Sequence, residues 1–165
     1  PRVVTEAQAR QVMTAAPLSY VGVFRNADIA DVVAKAEALS LHAVQLHGNE
    51  DQAYIDSLRS ALAPQVQIWK AQSVGDRLPE RNLNHVDKYV LDNGQGGTGQ
   101  RFDWSLLHGE VLDNVLLAGG LSPDNCVEAA KAGCAGLDFN SGVESQPGIK
   151  DASKLASVFK TLRAY

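Results

Sequence analysis

The feature of this sequence that most constrains its fold is a short apolar run that recurs six times at nearly constant spacing. The runs occupy residues 20–24, 43–47, 67–71, 88–92, 114–118 and 136–140, and they begin 21 to 26 residues apart. Most gaps between them hold apolar residues at helical spacing. Strands that alternate with helices in this way predict parallel strands joined by crossovers.

Helical spacing is present in five stretches, at residues 5–17, 27–40, 51–62, 122–133 and 151–165. In the fourth, Ser122 suits an N-cap, Pro123 suits the first helical position, and Gly133 is a typical helix stop. The stretches at 76–85 and 103–109 are only weakly helical. The sequence therefore opens with a helix rather than with a strand.

Two architectures fit parallel strands joined by helices: an open, doubly wound sheet and a (β/α)8 barrel. No G-x-G-x-x-G motif follows an early strand, which lowers the case for a doubly wound dinucleotide-binding domain. Polar residues instead end several strands, at His47, Asp92, Gly119–Gly120 and Asn140–Ser141. A barrel has its active site at this end of its strands and binds phosphate after the last two. We therefore expect an α/β fold of the (β/α)8, or TIM barrel, class.

The number of strands falls short of that barrel, because only six of the eight are present. Six strands left open would expose two edges of the buried type, which promotes aggregation. From the unit spacing, about one and a half units, on the order of 35 residues, are expected upstream. We therefore interpret residues 1–165 as the C-terminal three quarters of a single (β/α)8 domain in a longer polypeptide.

Charge and composition exclude several classes of protein. The net charge is −4 and no basic run is present, so we expect no nucleic-acid partner and no membrane partner. No apolar stretch approaches the roughly 20 residues of a membrane span. The two cysteines, Cys126 and Cys134, suit neither a disulfide framework nor a metal site, and they fit a reducing cytoplasm. We expect both to be packing residues.

Two residues at strand ends are candidates for proton transfer or ligand contact. Asp92 ends an apolar strand and precedes a glycine-rich stretch, so it can act as a general acid or base beneath a mobile lid. A cap for the amides of the next loop is equally compatible with the sequence. His47 ends its own strand, where a single histidine is more often hydrogen-bonded and structural, although at a barrel mouth it would face a ligand.

Glycine-containing segments follow the last two strands. Gly119–Gly120 precede the predicted helix start at Ser122, so bare backbone N–H groups would lie beside a helix N-terminus, which is how proteins bind phosphate. A tight turn with positive φ is the alternative. Asn140-Ser141-Gly142, followed by Val143 and Glu144, is typical of a second phosphate loop that leads into a short helical turn. The two segments together are more specific than either alone.

Three further polar residues have less distinct roles. Asp138 alternates with Asn140 along the last strand, so both would point the same way. Arg2 could bind an anionic substrate group through its fork of donors, but its terminal position favours a solvated charge. Lys70 lies inside a strand, where it would fill the barrel interior or reach water rather than take part in chemistry.

Four ordered segments together resemble one enzyme family: AVQLHGNED, KYVLDNGQGGTGQRFDW, LLAGGLSPDN and LDFNSGVESQPGIKD. They are similar to the phosphoribosylanthranilate isomerase family of tryptophan biosynthesis. The resemblance covers essentially the whole chain and is strongest to the isomerase half of the enterobacterial bifunctional enzyme, where an indole-glycerol-phosphate synthase domain precedes it. It implies a (β/α)8 barrel without cofactor or metal. It also implies conversion of N-(5-phosphoribosyl)anthranilate to 1-(2-carboxyphenylamino)-1-deoxyribulose 5-phosphate by an Amadori rearrangement.

The same resemblance implies roles for residues of this sequence. Asp92 matches the general acid, which protonates the furanose ring oxygen so that the ring opens to a Schiff base. Arg2 matches the arginine that meets the anthranilate carboxylate, His47 lines the anthranilate side, and Asp138 contacts the sugar hydroxyls. The phosphate-binding residues would be Gly119, Gly120, Ser141 and Gly142.

The sequence departs from the family at the general base. In the family, a cysteine in a K-[VI]-C-G motif at the end of strand one removes the C2′ proton, and no such motif is present in residues 1–165. Neither Cys126 nor Cys134 is placed to substitute for that cysteine. The chain on its own is therefore expected to be inactive and unstable.

Other functions fit parts of the pattern. An indole-glycerol-phosphate synthase needs lysines and glutamates at strand ends, and a pentose-phosphate epimerase needs metal-binding histidines and aspartates. Barrels that act on the aminoimidazole ribonucleotide of histidine biosynthesis have two phosphate sites, whereas one is evident here. A non-catalytic, phosphate-binding barrel fragment is the alternative from a different class. An upstream K-[VI]-C-G segment in the same polypeptide would exclude it.

Overall fold

The computed structural model describes residues 2–93 and 101–165. The described residues form five α-helices: α1 Glu6–Ala15, α2 Ile29–Ala38, α3 Gln52–Ala61, α4 Cys126–Lys131 and α5 Ala152–Ala164. Each predicted helical stretch therefore contains a helix. Of the two weakly helical stretches, 76–85 forms no helix and the other forms one 3-10 turn, Trp104–Leu107. None of the described helices is long and apolar enough to cross a membrane.

Six strands form one sheet whose order follows the chain: β1 Val21–Phe24, β2 Ala43–Leu46, β3 Gln67–Ser73, β4 Lys88–Asp92, β5 Val115–Leu117 and β6 Gly136–Leu137. The pairs β1–β2, β2–β3, β4–β5 and β5–β6 are parallel. The prediction of an α/β fold with parallel strands joined by crossovers is confirmed. The closed, eight-stranded barrel stays a prediction.

The chain divides into two compact units, each with its own core. The first unit comprises Arg2, Gln72–Glu80 and the described part of Tyr89–Tyr165, and the second comprises Val3–Ala71 and Arg81–Lys88. In the second unit, Val32 of α2 and Ile55 and Leu58 of α3 are fully buried against Leu46 and Ile68. These three helical residues lie on the apolar faces that the sequence pattern predicts.

The core of the first unit is built from β4, β5 and the segments that follow them. Leu91 of β4 pairs with Leu117 of β5, and both are fully buried with Leu107. A second cluster joins α4 to α5 through Cys126 and Val158. Cys126 is buried and is not in a disulfide, as expected for a packing residue.

The start of α4 differs from the prediction. The helix begins at Cys126, with Asn125 as its N-cap, and not at Ser122–Pro123. The side chain of Asn125 accepts a hydrogen bond of 2.9 Å from the N–H of Ser122. It also donates one of 2.9 Å to the carbonyl of Gly120, so residues 120–125 close into a turn. That turn displaces the helix N-terminus that the sequence predicts beside Gly119–Gly120.

The last strand of the sheet is also shorter than predicted. β6 ends at Leu137, and one further ladder bond runs from the N–H of Asp138 to the carbonyl of Leu117 at 2.8 Å. Asn140 has φ −125° and ψ −93°, outside the strand range. The strand alternation used to align Asp138 with Asn140 is therefore wrong, because the chain leaves the sheet between them.

An antiparallel hairpin follows that the sequence analysis did not predict. It consists of β7 Glu144–Gln146 and β8 Ile149–Lys150, in which Gln146 is paired with Ile149. Pro147 and Gly148 form its turn, and Gly148 has φ +87°. Proline followed by a glycine of positive φ is typical of a type II turn. The sequence therefore carried a signal for this hairpin.

Candidate functional site

Asp92 ends β4 with its carboxylate against the backbone of Gly119, which follows β5. Its Oδ1 atom accepts a hydrogen bond of 2.7 Å from the N–H of Asn93, so the cap considered as an alternative role is present. A Cβ atom at residue 119 would collide with the same Oδ1 atom. Gly119 also has φ +83°, so its lack of a side chain is required on both counts. Asp92 is nonetheless partly exposed.

The stretch that was expected to form a lid over Asp92 lies at residues 94–100. These residues are outside the part of the chain that the structure describes. The lid therefore stays a prediction.

The four predicted phosphate-binding residues follow the last two strands of the sheet. Within residues 2–93 and 101–165, no hydrogen bond is donated by the N–H groups of Gly119, Gly120, Ser141 or Gly142. Gly119 and Gly120 both have positive φ, at +83° and +68°. Successive N–H groups in such a turn form a concavity that binds anions.

The two glycine segments lie directly against each other. A Cβ atom at Gly142 would collide with the carbonyl oxygen of Leu121, which follows Gly120 in the chain. Ser141 begins the 3-10 turn Ser141–Val143, so the predicted short helical turn is confirmed. The structure therefore brings Gly119, Gly120, Ser141 and Gly142 to one place, and Asp92 contacts the first of them.

Arg2 is bound to Glu144, so the interpretation as a solvated charge is wrong. Its Nε donates to Oε1 at 3.0 Å and its Nη2 donates to Oε2 at 2.7 Å. The side chain of Glu144 is 4% exposed, whereas that of Arg2 is 35% exposed. The Nζ of Lys150 donates a third hydrogen bond, of 2.9 Å, to Oε1. Glu144 is thus a buried carboxylate held by two cations.

The charge of Glu144 is stabilised by these same contacts. The hydrogen bond from Arg2, and then that from Lys150, outweigh burial and lower the pKa of Glu144 from 4.5 to about 2. The side chain is therefore ionised at neutral pH. The pKa of Arg2 is raised by its hydrogen bond to Glu144, so this pair consists of a full cation and a full anion.

Asp138 comes directly after β6 and is partly buried. It belongs to the first unit, with Asp92, the four glycine-segment residues and Arg2. His47 belongs to the second unit and follows β2. Seven of the eight predicted site residues therefore belong to the first unit, and His47 is described by itself.

His47 is hydrogen-bonded on both its backbone and its ring. Its N–H donates to the carbonyl of Phe24 at 2.8 Å, and the side-chain nitrogen of Gln45 lies 3.3 Å from Nδ1. A side-chain amide nitrogen can only donate, so Nδ1 is the acceptor in this contact. The hydrogen-bonded role expected of a strand-end histidine is present, and the contact with a ligand stays a prediction.

Lys70 was expected to fill the barrel interior or to reach water, and both expectations are wrong. Its side chain is buried on the face of the sheet that packs against α2 and α3. It pairs with Leu46 across β2 and β3 and therefore points to the same face as that buried leucine. Its Nζ donates to Oε2 of Glu50 at 2.9 Å and to the carbonyl of Gly48 at 2.7 Å. The side chains of Lys70 and Glu50 are 7% and 1% exposed. This is a buried, satisfied ion pair with a structural role.

Sequence reasoning missed three residues that support the site. Glu144 was named only as part of the turn after the second phosphate loop, Lys150 was given no role, and Gln45 was treated only as part of an apolar run. Lys150 also donates to the carbonyl and side-chain oxygens of Asn140, at 3.0 Å and 2.7 Å. The one signal available was the Pro147–Gly148 turn, since a hairpin brings Lys150 back beside Glu144. In the described ranges, no three His, Cys, Asp or Glu side chains group together as they would around a metal ion.

Comparisons with known proteins give the family of this chain. The sequence model of the N-(5′-phosphoribosyl)anthranilate (PRA) isomerase family matches residues 1–161. The tryptophan biosynthesis protein TrpCF of Salmonella typhi is 72% identical over 165 residues, which are 100% of this chain and 36% of that protein. The protein of the same name from Yersinia pestis is 66% identical and is covered to 35%. The chain thus spans about a third of the length of these relatives.

Solved structures give the same result. Phosphoribosylanthranilate isomerase from Thermus thermophilus superimposes with a TM-score of 0.83 at 28% identity, covering 97% of this chain and 80% of that one. A phosphoribosylanthranilate isomerase in complex with reduced 1-(o-carboxyphenylamino)-1-deoxyribulose 5-phosphate superimposes with a TM-score of 0.76 at 28% identity. That comparison covers 98% of this chain and 81% of the other. The chain belongs to the N-(5′-phosphoribosyl)anthranilate isomerase family.

Proposed function

We propose that the polypeptide containing this chain is a phosphoribosylanthranilate isomerase of tryptophan biosynthesis, and that residues 1–165 are the C-terminal part of one (β/α)8 domain. It converts N-(5-phosphoribosyl)anthranilate to 1-(2-carboxyphenylamino)-1-deoxyribulose 5-phosphate. One observation carries the proposal: the two segments after the last two strands lie against each other, and the N–H groups of Gly119, Gly120, Ser141 and Gly142 donate no hydrogen bond to any described residue. A phosphate is the ligand that such a group of donors fits best.

In the proposed reaction, Asp92 is the general acid. It protonates the furanose ring oxygen, and the ring opens to a Schiff base. Removal of the C2′ proton then gives an enolamine, which tautomerises to the ketone. The contact with Gly119 and the hydrogen bond from Asn93 hold the carboxylate in one position, which proton transfer requires.

The remaining assigned residues bind the substrate. Arg2 receives the anthranilate carboxylate, His47 lines the anthranilate side, and Asp138 contacts the sugar hydroxyls. The phosphate accepts hydrogen bonds from the two glycine segments. The assignment of Arg2 uses a residue type suited to its partner, since guanidinium groups bind carboxylates through pairs of hydrogen bonds.

The general base comes from outside residues 1–165, because the K-[VI]-C-G motif is absent from them. The relatives are almost three times as long as this chain. Their length supports the proposal that an indole-glycerol-phosphate synthase domain precedes the isomerase domain in one cytoplasmic polypeptide. The intact mass of the native protein tests this directly. The mass should exceed 17.6 kDa, and the difference should be larger than the mass of the roughly 35 residues that complete the barrel.

The experiment that tests the function compares wild type with Asp92→Asn in the full-length polypeptide. Turnover of N-(5-phosphoribosyl)anthranilate is followed by the fluorescence of the anthranilate group. We expect the variant to lose turnover by at least about 100-fold, the scale of a lost general acid, while it still binds the reduced product analogue. Retained turnover would contradict the role of Asp92, and failure of the wild type to bind the analogue would contradict the function.

A non-catalytic phosphate-binding fragment is the second candidate, and the missing motif is the observation that favours it. If the native protein has a mass near 17.6 kDa, this candidate replaces the isomerase. It would then bind the analogue and inorganic phosphate without turnover.

A further inference from the structure

Glu144 uses only one edge of the Arg2 guanidinium. A guanidinium group can form paired hydrogen bonds to a carboxylate along its Nε–Nη2 edge or along its Nη1–Nη2 edge. Glu144 takes the Nε–Nη2 edge, with bonds of 3.0 Å and 2.7 Å. Among the described residues, Nη1 of Arg2 makes no hydrogen bond, and the Arg2 side chain remains 35% exposed. The second edge is therefore open to another carboxylate.

Glu144 is itself fixed independently of Arg2. Lys150 holds its Oε1 at 2.9 Å, and Lys154 donates to its backbone carbonyl at 2.8 Å. Glu144 also begins β7, directly after the turn that contains Ser141 and Gly142. An anchored, buried carboxylate leaves the guanidinium little rotational freedom, and it balances a charge that would otherwise repel Lys150.

Lys150 extends this arrangement to the second glycine segment. Its Nζ donates to both oxygens of Asn140, the residue that precedes Ser141. One ion-pair network therefore connects Arg2 to the backbone that carries two of the unpaired N–H groups. The network contains one carboxylate and two cations, so it has a net positive charge that suits a ligand with two anionic ends.

We propose that Glu144 is a positioning residue, which holds Arg2 by its Nε–Nη2 edge so that the Nη1–Nη2 edge receives the carboxylate of the substrate. The proposal rests on the proposed function, in which Arg2 binds that carboxylate. Glu144 itself does not touch the substrate. Its removal should therefore weaken binding of the carboxylate and leave the rest of the ligand's contacts in place.

The test compares two ligands that differ only in the carboxylate. One is reduced 1-(o-carboxyphenylamino)-1-deoxyribulose 5-phosphate, and the other is the same molecule with an unsubstituted phenyl ring. Dissociation constants are measured by calorimetry for the full-length polypeptide and for its Glu144→Gln variant. We expect the variant to bind the carboxylated ligand about tenfold more weakly and the phenyl ligand within about twofold of wild type.

Two further variants separate positioning from folding. Glu6→Gln removes a carboxylate that binds Arg10 through the same two nitrogens at an exposed site, and it should bind both ligands as wild type does. Arg2→Lys retains the charge without the fork, so it should lose the preference for the carboxylated ligand. The double variant Arg2→Lys/Glu144→Gln should be no weaker than Arg2→Lys alone, because Glu144 acts only through Arg2.

Three results would overturn the proposal. Equal weakening of both ligands by Glu144→Gln would show a structural role, and additive losses in the double variant would show that Glu144 acts without Arg2. A wild type that binds both ligands equally would show that Arg2 does not receive the carboxylate. The proposed function fails in a different way, because it would be contradicted by a wild type that does not turn over N-(5-phosphoribosyl)anthranilate, whichever ligands it binds.

Discussion

A methyl group at residue 119 would collide with a carboxylate oxygen of Asp92. Gly119→Ala should therefore move the proposed general acid as well as strain a backbone with φ +83°. Strain alone would lower stability by about 1–2 kcal/mol. Displacement of the acid should lower turnover by about 100-fold, since misplacement of a catalytic group by about 1 Å has effects of that size. Turnover and urea denaturation of the full-length protein measure the two effects.

Gly109 provides the matched control for this substitution. Its φ is +82°, almost that of Gly119, but nothing lies within 4 Å of a Cβ atom built there. Gly109→Ala should lose the same stability and keep its turnover. If both variants keep their turnover, the contact between Gly119 and Asp92 has no catalytic significance.

At the scale of elements, Glu144 joins β7 to Lys150 of β8 through one ion pair and joins this hairpin to Arg2 through the other. The pKa of Glu144 is about 2 in the folded protein, below its ordinary 4.5. A lowered carboxyl pKa adds stability that is fully present above the unfolded pKa and is lost as the pH falls through the folded one. We therefore expect wild type to lose this contribution between about pH 4.5 and about pH 2.

Glu144→Gln isolates that contribution. As the pH is lowered from about 4.5 to about 2, the urea midpoint of this variant should fall less steeply than that of wild type. The matched control, Glu6→Gln, removes an exposed pair with Arg10 and should keep the steep dependence of wild type. Parallel curves for wild type and Glu144→Gln would contradict the lowered pKa.

The elements that the sequence predicted well are those with a long period and a clear boundary. Apolar residues recur along one face of α2, α3 and α5 over ten or more residues, so the pattern alone predicts these three helices. The predicted start of α4 was wrong because the side-chain amide of Asn125 binds the backbone of Ser122 and Gly120 across a turn. These bonds compete with a helix that begins with Ser122 as its N-cap. β6 was predicted too long because apolar Phe139 continues the alternation of Leu137 and Asp138 past the end of the strand.

The site was predictable in its backbone and not in its ion pairs. Glycines after strands are visible in the sequence, and so is a carboxylate such as Asp92 at a strand end. The partner of Arg2 is 142 residues away, and nothing local marks Glu144 as that partner. Ion pairs of this kind depend on how distant segments meet, which periodicity does not encode.

For the whole molecule, binding of a phosphorylated ligand should raise stability by mass action. A ligand that binds only the folded protein adds about 2.7 kcal/mol to the free energy of unfolding at 100 times its dissociation constant. The reduced product analogue should therefore raise the urea midpoint of the full-length protein, and above its dissociation constant the shift should grow with the logarithm of its concentration. Asp92→Asn should show the same shift, because Asp92 is proposed to transfer a proton and not to supply affinity.

The dephosphorylated form of the same analogue is the control. It lacks the group that the N–H donors of Gly119, Gly120, Ser141 and Gly142 are proposed to bind, so it should stabilise the protein far less at equal concentration. Equal stabilisation by both forms would mean that these N–H groups do not hold the phosphate. The ligand would then owe its affinity to its aromatic and carboxylate end, and the proposed phosphate site would have to be abandoned while Arg2 remained a candidate.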